Sequence, residues 1–404
     1  MVAGDFSMAG GVAAQNVALW DGSAFSSLGN GVEGTITCGA VMGNDIYLGG
    51  SGLGGSNDLA HWNGSQWSFT NVFQGKFPQI FALYAHNDTL YAAGASAGFV
   101  GTNHFVQRLV GSTWQTVGEY FNDAVLALSF HDGHLVAGGQ FTATTGSTGA
   151  SALHVAQFVS GSWGQLGAGL NGTVNVLMTD MYGVLYAGGA LYANVAPLFG
   201  LARAGAGTTT WEELLPNLAG YVTAGAGPVE IRALMSDGIG VYAGGSFSVQ
   251  QGADIGQGLA YCSGAPDSFM PMASFNGPVN ALANDPFISD AYGLYAGGEF
   301  TMNESTSIPY AAETILASGI HNPAVSSGIQ LFPNPAQDRL TVTFDAPLSG
   351  PAVLEVVDAE GRLVLSEMAT GRTAVINIAH LAAGSYTLCI SAGGSRRTQA
   401  FIKR

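Results

Sequence analysis

Two histidines and an aspartate stand within four residues at His131-Asp132-Gly133-His134, a spacing that could offer two imidazoles and a carboxylate to a metal ion. No other copy of the turn in which they sit repeats the histidine pair, so a polar hairpin turn is expected there and no metal site is assigned. Asp45, Asp88, Asp132, Asp180 and Asp237 mark further acidic turns whose oxygens are of the kind calcium takes. None has the dense Asp/Asn spacing of a dedicated loop, so solvated turns are expected; calcium is the only cofactor left open. GNGVEG (29–34) and GAGLNG (167–172) match G-x-G-x-x-G, but a dinucleotide site needs that motif between a strand and a helix. Both fall between strands, where glycine serves the backbone. The eight histidines share no motif context, and Glu119, Glu212, Glu213, Glu230, Glu299 and Glu304 are scattered. No carboxylate pair, Ser/His/Asp order or Cys/His pair can be read, nor a Tyr/His/His/Cys copper set, so no catalytic residue is assigned. Cys38, Cys262 and Cys389 are odd in number and far apart, which gives neither a disulfide framework nor zinc spacing and suits three small buried hydrophobes.

Composition narrows the function classes. Of the net charge of −16, residues 1–328 carry 21 acidic and 4 basic groups, Lys76, Arg108, Arg203 and Arg232, whereas residues 329–404 are close to neutral. Such a body cannot track a phosphate backbone, which excludes nucleic acid as a partner. Gly, Ser, Asn or Asp interrupts every apolar run, so no transmembrane segment is expected. MVAGDFSMAGG lacks the basic and apolar regions of a signal peptide, and Met1 stands where sister segments carry Leu, Val or Ile. The expectation is a chain whose true N-terminus, with its export signal, lies upstream.

The elements that must position any site come from a repeat. LYAGGEF (294–300) recurs as VYAGGSF (241–247), LYAGGAL (185–191), LVAGGQF (135–141), LYAAGAS (90–96), IYLGGSG (46–52) and MVAGDF at the start. Before it runs an alternating segment such as VNALAND (279–285) or AVLALSF (124–130), closed by a turn such as HDGH or SDGIG, which is hairpin chemistry. After the pairs Gly49-Gly50, Gly138-Gly139, Gly188-Gly189, Gly244-Gly245 and Gly297-Gly298 come a variable loop and a third strand. A short fourth strand opens with Phe25, Trp67, Trp114, Trp163, Trp211 or Phe269. One aromatic per repeat suits packing between neighbouring units, and the glycines suit close backbone approach. A strand-rich period of about 45–55 residues marks a propeller or solenoid array.

This unit resembles the kelch-type propeller repeat over about residues 1–316, although kelch Tyr and Arg positions are poorly kept. The resemblance implies an all-β propeller of seven blades, the first and last incomplete, with the alternating segments lining a central channel. Residues 317–328 read as a linker.

Residues 329–404 carry a different pattern of several short strands, expected to form a small Ig-like β-sandwich. The segment opens on Pro333-Asn334-Pro335 and continues with Val356, Asp358, Gly361, Arg362 and Val364. Leu381, Gly384 and Tyr386 follow, and the chain ends on Lys403 and Arg404. In that order these motifs resemble the type A C-terminal sorting domain of proteins exported by the type IX (Por) secretion system of Bacteroidota. The resemblance implies recognition by the type IX machinery at the outer membrane and removal by its sortase-like peptidase. It also implies a secreted or cell-surface product, attached to lipopolysaccharide or released.

The function expected is therefore a non-catalytic propeller that binds a glycan or protein, with Tyr192–Thr210 and Thr142–Ala152 as contact loops. Two alternatives stay open: a polysaccharide hydrolase or lyase with carboxylates gathered at the channel mouth, and an accessory fragment of a longer surface polypeptide.

Overall fold

A computed structural model describes the chain apart from residues 22–23, 98–101, 146–148, 192–199, 214–221, 224–228, 239, 252–253, 264–268, 286–290, 304–305, 308–310, 318–328, 333–335, 345–351, 358–362, 383 and 393–394. Every helix or strand among the described residues is a strand, and the chain divides into two compact units, Met1–Ile315 and Leu316–Arg404. The expected linker 317–328 lies outside the described residues, save Ala317, which ends a strand.

In the first unit, seven antiparallel sheets of three or more described strands succeed one another along the chain. Sheets 2 to 5 cover 35–70, 76–116, 125–165 and 173–213, and each has four strands paired in chain order. Sheet 6 spans 222–274 and adds the short strand Val222–Thr223 against the far end of its glycine strand. Sheet 1 pairs Val2–Ala3, Val17–Trp20 and Phe25–Ser27 without a counterpart of the alternating first strand, and sheet 7 has three described strands, Val279–Asp285, Ala291–Gly298 and Ala311–Ala317. The alternating segments form the first strands, the YAGG segments the second, and the segments carrying Trp67, Trp114, Trp163 and Trp211 the fourth, with Trp114 and Trp163 one residue inside their strands.

Packing runs from sheet to sheet. From sheet 2 to sheet 7 the first strand of each touches the first strand of the next. The apolar clusters bridge consecutive sheets: Tyr47 and Leu59 of sheet 2 share one with Ile80 and Phe105 of sheet 3. Val136 and Val155 of sheet 4 share another with Val174 and Ala187 of sheet 5. The indole Nε1 atoms of Trp67, Trp163 and Trp211 donate to the carbonyls of Leu28 (3.0 Å), Val117 (2.7 Å) and Leu166 (3.1 Å). Each acceptor directly follows the last strand of the preceding sheet. Trp114 is half-buried in the cluster that holds Val72 and Phe73. Stability therefore resides in interfaces between neighbours, as in repeat proteins.

A β-bulge recurs in every pairing of a first strand with its glycine strand. It falls between Ile36 and Cys38, Ile80 and Ala82, Val125 and Ala127, Val174 and Val176, Ile231 and Ala233, and Val279 and Ala281. The extra residues are Thr37, Phe81, Leu126, Asn175, Arg232 and Asn280. None is buried, whereas Ile80, Val125, Val174, Ile231 and Val279 just before them are. A bulge re-aims the side chain it carries.

Asp58 pins the end of sheet 2. It is fully buried, and its two oxygens accept the backbone N–H groups of Val72 (2.7 Å) and Phe73 (2.9 Å). Burial pushes its carboxyl up to about 6, against those two bonds. The folded state therefore binds the proton more tightly than the unfolded chain, whose carboxyl titrates near ~3.9. Stability from this group is highest below ~pH 4 and declines through pH 6, by up to about 3 kcal/mol. Urea midpoints between pH 4 and 7 should show that decline in the wild type, and Asp58→Asn should flatten it; an unchanged slope in the variant would refute the assignment.

The described strands of the second unit form two antiparallel sheets. Ile329–Phe332, Arg339–Phe344 and Thr373–Asn377 form one; Leu363–Ala369, Ala352–Val357, Gly384–Ala392 and Ser395–Lys403 form the other. Leu340, Val342 and Ile376 of the first sheet share a core with Leu354, Val356, Leu388 and Phe401 of the second. The alternation of buried and accessible residues in RLTVTF and AVLEVV is what places one face of each strand in that core.

Candidate functional site

The bulged residues of sheets 5, 6 and 7 are polar and converge. Arg232 donates through Nε (3.2 Å) and Nη2 (3.0 Å) to Glu230 Oε2, and through Nη1 to Asn280 Oδ1 (2.9 Å). The same Nη1 lies 3.6 Å from Glu299 Oε1, which also accepts Asn280 Nδ2 at 3.2 Å. Asn175 Nδ2 donates to Glu230 Oε1 (2.9 Å) and to the Ile231 carbonyl (3.2 Å). Three sheets thus contribute one hydrogen-bonded group of two carboxylates, two amides and a guanidinium, all open to solvent in part. The earlier bulges differ: Phe81 and Leu126 are half-buried apolar residues, and Thr37 Oγ1 donates to the carbonyls of Gly49 and Ile80.

The residues singled out in the sequence serve other ends. His131 is buried; its Nδ1 lies 3.1 Å from the Gly183 carbonyl and its Nε2 3.0 Å from that of Thr208. Asp132 accepts the Gly207 N–H at 2.9 and 3.0 Å. The HDGH turn is therefore a latch from sheet 4 onto sheet 5. His134 instead lines a cavity of about 230 Å³ between sheets 3 and 4, with Tyr91, Arg108, Phe130 and Phe158. Asp180 accepts the N–H groups of Tyr182 and Val184 at 2.9 Å and the Tyr186 hydroxyl at 3.3 Å. Asp237 likewise accepts the Gly240 N–H and the Tyr242 hydroxyl. Burial, then the neighbouring aspartate, pushes both phenols above their ordinary range. Among the described residues no three His, Cys, Asp or Glu side chains gather around a metal-sized point. In the G-x-G-x-x-G segments, Gly31, Gly34, Gly167 and Gly169 have positive φ, and both segments join strands. Cys262 is buried and its thiol is pushed up to about 11 by that burial, opposed by Arg203.

Of the glycine pairs, Gly49, Gly138, Gly188 and Gly244 face Ile80, Val174, Ile231 and Val279 of the next sheet, so closely that a Cβ would come within 2.5–2.7 Å of a methyl group. The contact loops expected at 142–152 and 192–210 lie partly outside the described residues. What is described of the first is a clamped stem: Asn122 Oδ1 accepts the N–H groups of Thr142 and Ala143, and its Nδ2 donates to Thr142 Oγ1. Asn276 makes the same bonds to Thr301 and Met302, and a phenylalanine pair packs beside each clamp, Phe275 stacked on Phe300 and Phe121 tilted against Phe141. A paired Phe-Asn and G-G-x-Phe-Thr pattern encodes this clamp. It stood in the sequence at 121–122 with 138–142 and again at 275–276 with 297–301.

In the second unit, Pro333, Asn334, Pro335, Asp358, Gly361 and Arg362 fall outside the described residues. Leu381 is buried with its N–H on the Ile378 carbonyl, and the Tyr386 hydroxyl donates to the Ala382 carbonyl at 2.9 Å. Gly384 opens the strand that carries Tyr386. Lys403 is buried and bridges Ala336, whose carbonyl accepts the Arg404 N–H at 2.8 Å. The basic end thus folds back beside Ala336, the residue that follows Pro335 in the sequence. Residues 330–404 match the family model of the secretion system C-terminal sorting domain. The sorting domain marks the chain for type IX export to the cell surface, and no helix of the described residues is long and apolar enough to cross a membrane.

A search of curated proteins gives no match. Among solved structures the chain is similar to a glycoside hydrolase at 9% identity and a TM-score of 0.30, covering 80% of this chain and 94% of that one. It is also similar to dimeric latent PorU from Porphyromonas gingivalis at 14% identity and a TM-score of 0.16, covering 89% of this chain and 31% of that one. At these values neither likeness bears on function.

Proposed function

We propose that the protein is a surface-displayed or released propeller of a Bacteroidota cell, exported through its sorting domain, which binds a glycan or protein and performs no chemistry on it. The match of residues 330–404 to the sorting-domain family carries this reading. In it the seven sheets are the blades of a kelch-like propeller with their first strands toward the axis, and a sortase-like peptidase removes the second unit after transport. The stacking of first strand on first strand supports the blade arrangement.

Binding is favoured over hydrolysis by the surroundings of Glu230 and Glu299. Both carboxylates engage Arg232, and Glu299 is 68% exposed. A proton-donating carboxyl of a glycosidase needs apolar surroundings, which neither has.

Export is tested in the native host by comparing the full chain with one ending at Gly328. The full chain should be recovered from the cell surface or medium with a new C-terminus between about Ala317 and Ile329. The shortened chain should stay in the cell envelope, with its surface signal reduced more than tenfold. Equal surface recovery of both would overturn the reading.

A further inference from the structure

We propose that the row of bulged residues is a binding site for a neutral glycan chain, whose hydroxyl groups are held by Asn175, Glu230, Arg232, Asn280 and Glu299. The proposal deepens the binding reading and is independent of export.

Placement supports it. The bulged residues Phe81, Leu126, Asn175, Arg232 and Asn280 stand at the same register, on first strands that touch from sheet to sheet, and Glu230 and Glu299 join the polar end of that line through Arg232. The ligand it fits is correspondingly a chain. Stacking the sheets does not need the polar group. Sheets 3 and 4 carry the same bulge with Phe81 and Leu126, and they pack on their neighbours without an ion pair at that position. The Arg232 group is an addition to the scaffold, and it is not what holds the scaffold together.

The chemistry selects the ligand. Planar carboxylates and amides, already oriented by Arg232, exchange hydrogen bonds with hydroxyl groups, which both donate and accept. The partners are held before binding, so little side-chain order has to be imposed. Phe81 and Leu126, further along the row, present apolar surface for the C–H faces of sugar rings. Charge excludes the acidic alternative. Arg232 is shared between two carboxylates, and the body around it is strongly acidic, so a uronate or sulfated chain meets net repulsion.

The full-length protein should be titrated calorimetrically with cello-, manno-, xylo- and laminarihexaose, and with hexagalacturonate as the charged control. At least one neutral hexasaccharide should bind, and hexagalacturonate should not. Asn175→Ala and Asn280→Ala should each weaken that binding roughly 3- to 10-fold while the melting temperature is held. Phe158→Ala, in the separate cavity between sheets 3 and 4, should leave it unchanged. Binding of none of the neutral chains, or tighter binding of hexagalacturonate, would refute the ligand class. Binding unmoved by both Asn variants but lost with Phe158→Ala would refute the row and leave the scaffold reading standing.

Discussion

Gly139→Ala should destabilise the protein by about 3 kcal/mol or more, whereas Gly138→Ala, one residue earlier, should cost about 1 kcal/mol. The two glycines of the pair answer to different neighbours. A Cβ on Gly138 would meet Val174 Cγ1 at 2.5 Å, Val174 Cβ at 3.1 Å and Leu177 Cδ1 at 3.2 Å, all atoms of side chains on the next sheet and none of them backbone. Sheet 3 shows the accommodation, since Ala93 occupies that place. A Cβ on Gly139 would stand 2.0 Å from the Ala124 carbonyl oxygen and 3.0 Å from Val125 Cα. That carbonyl is backbone and accepts the Gln140 N–H at 2.9 Å just before the bulge, so it cannot swing aside as a side chain can. The same contact recurs at Gly50 with Thr35 (1.9 Å), Gly189 with Thr173 (1.9 Å) and Gly245 with Glu230 (2.0 Å). The first copy of the repeat has Asp5 at this position, and sheet 1 has no first strand to supply the carbonyl. Urea unfolding of both variants beside the wild type decides the matter: equal losses would mean that the bulge does not constrain the second glycine.

That asymmetry shows what could be read from the residues and what could not. Period-two alternation, Asp-Gly turns and one aromatic per unit place nearly every strand of sheets 2 to 5, because each signal is local and repeats. The bulge leaves no local signature. Thr37, Phe81, Leu126, Asn175, Arg232 and Asn280 share only a register, which exists once two strands are paired. Glu230, Arg232 and Glu299 therefore read as scattered charges in the sequence, although the fold brings them onto one guanidinium. The opposite error threatened at His131-Asp132-Gly133-His134. Residues adjacent in sequence suggested one ligand set, but the turn sends His131 into the next sheet and His134 into a separate cavity. The sorting motifs were legible because they are ordered along a short segment; the fold adds the return of Lys403 and Arg404 to Ala336.

Trp163→Ala should be the most damaging of the repeated aromatic substitutions, with a loss of about 3–5 kcal/mol. Trp163 is 2% exposed, lies against Phe121 and Phe158 at ring separations of 5.3 and 5.2 Å, and donates its indole N–H to the Val117 carbonyl at 2.7 Å. Trp211 makes the equivalent bond at 3.1 Å but is only half-buried, so Trp211→Ala should cost less than half as much. Trp163→Phe separates the two parts of the effect: it keeps most of the packing and leaves the Val117 carbonyl without its donor, a loss of about 1–3 kcal/mol. Position in the stack makes the alanine variant informative beyond its magnitude. The larger contacts between described strands join sheets that are neighbours along the chain, so the interface between sheets 3 and 4 carries much of the coupling between the two sides of the first unit. Weakening it should split a single denaturation curve into two steps, the first of them sensitive to Trp163 and the second shared with the wild type. A curve that shifts as a whole without broadening would show that coupling also passes by another route, such as contact between the first and last sheets.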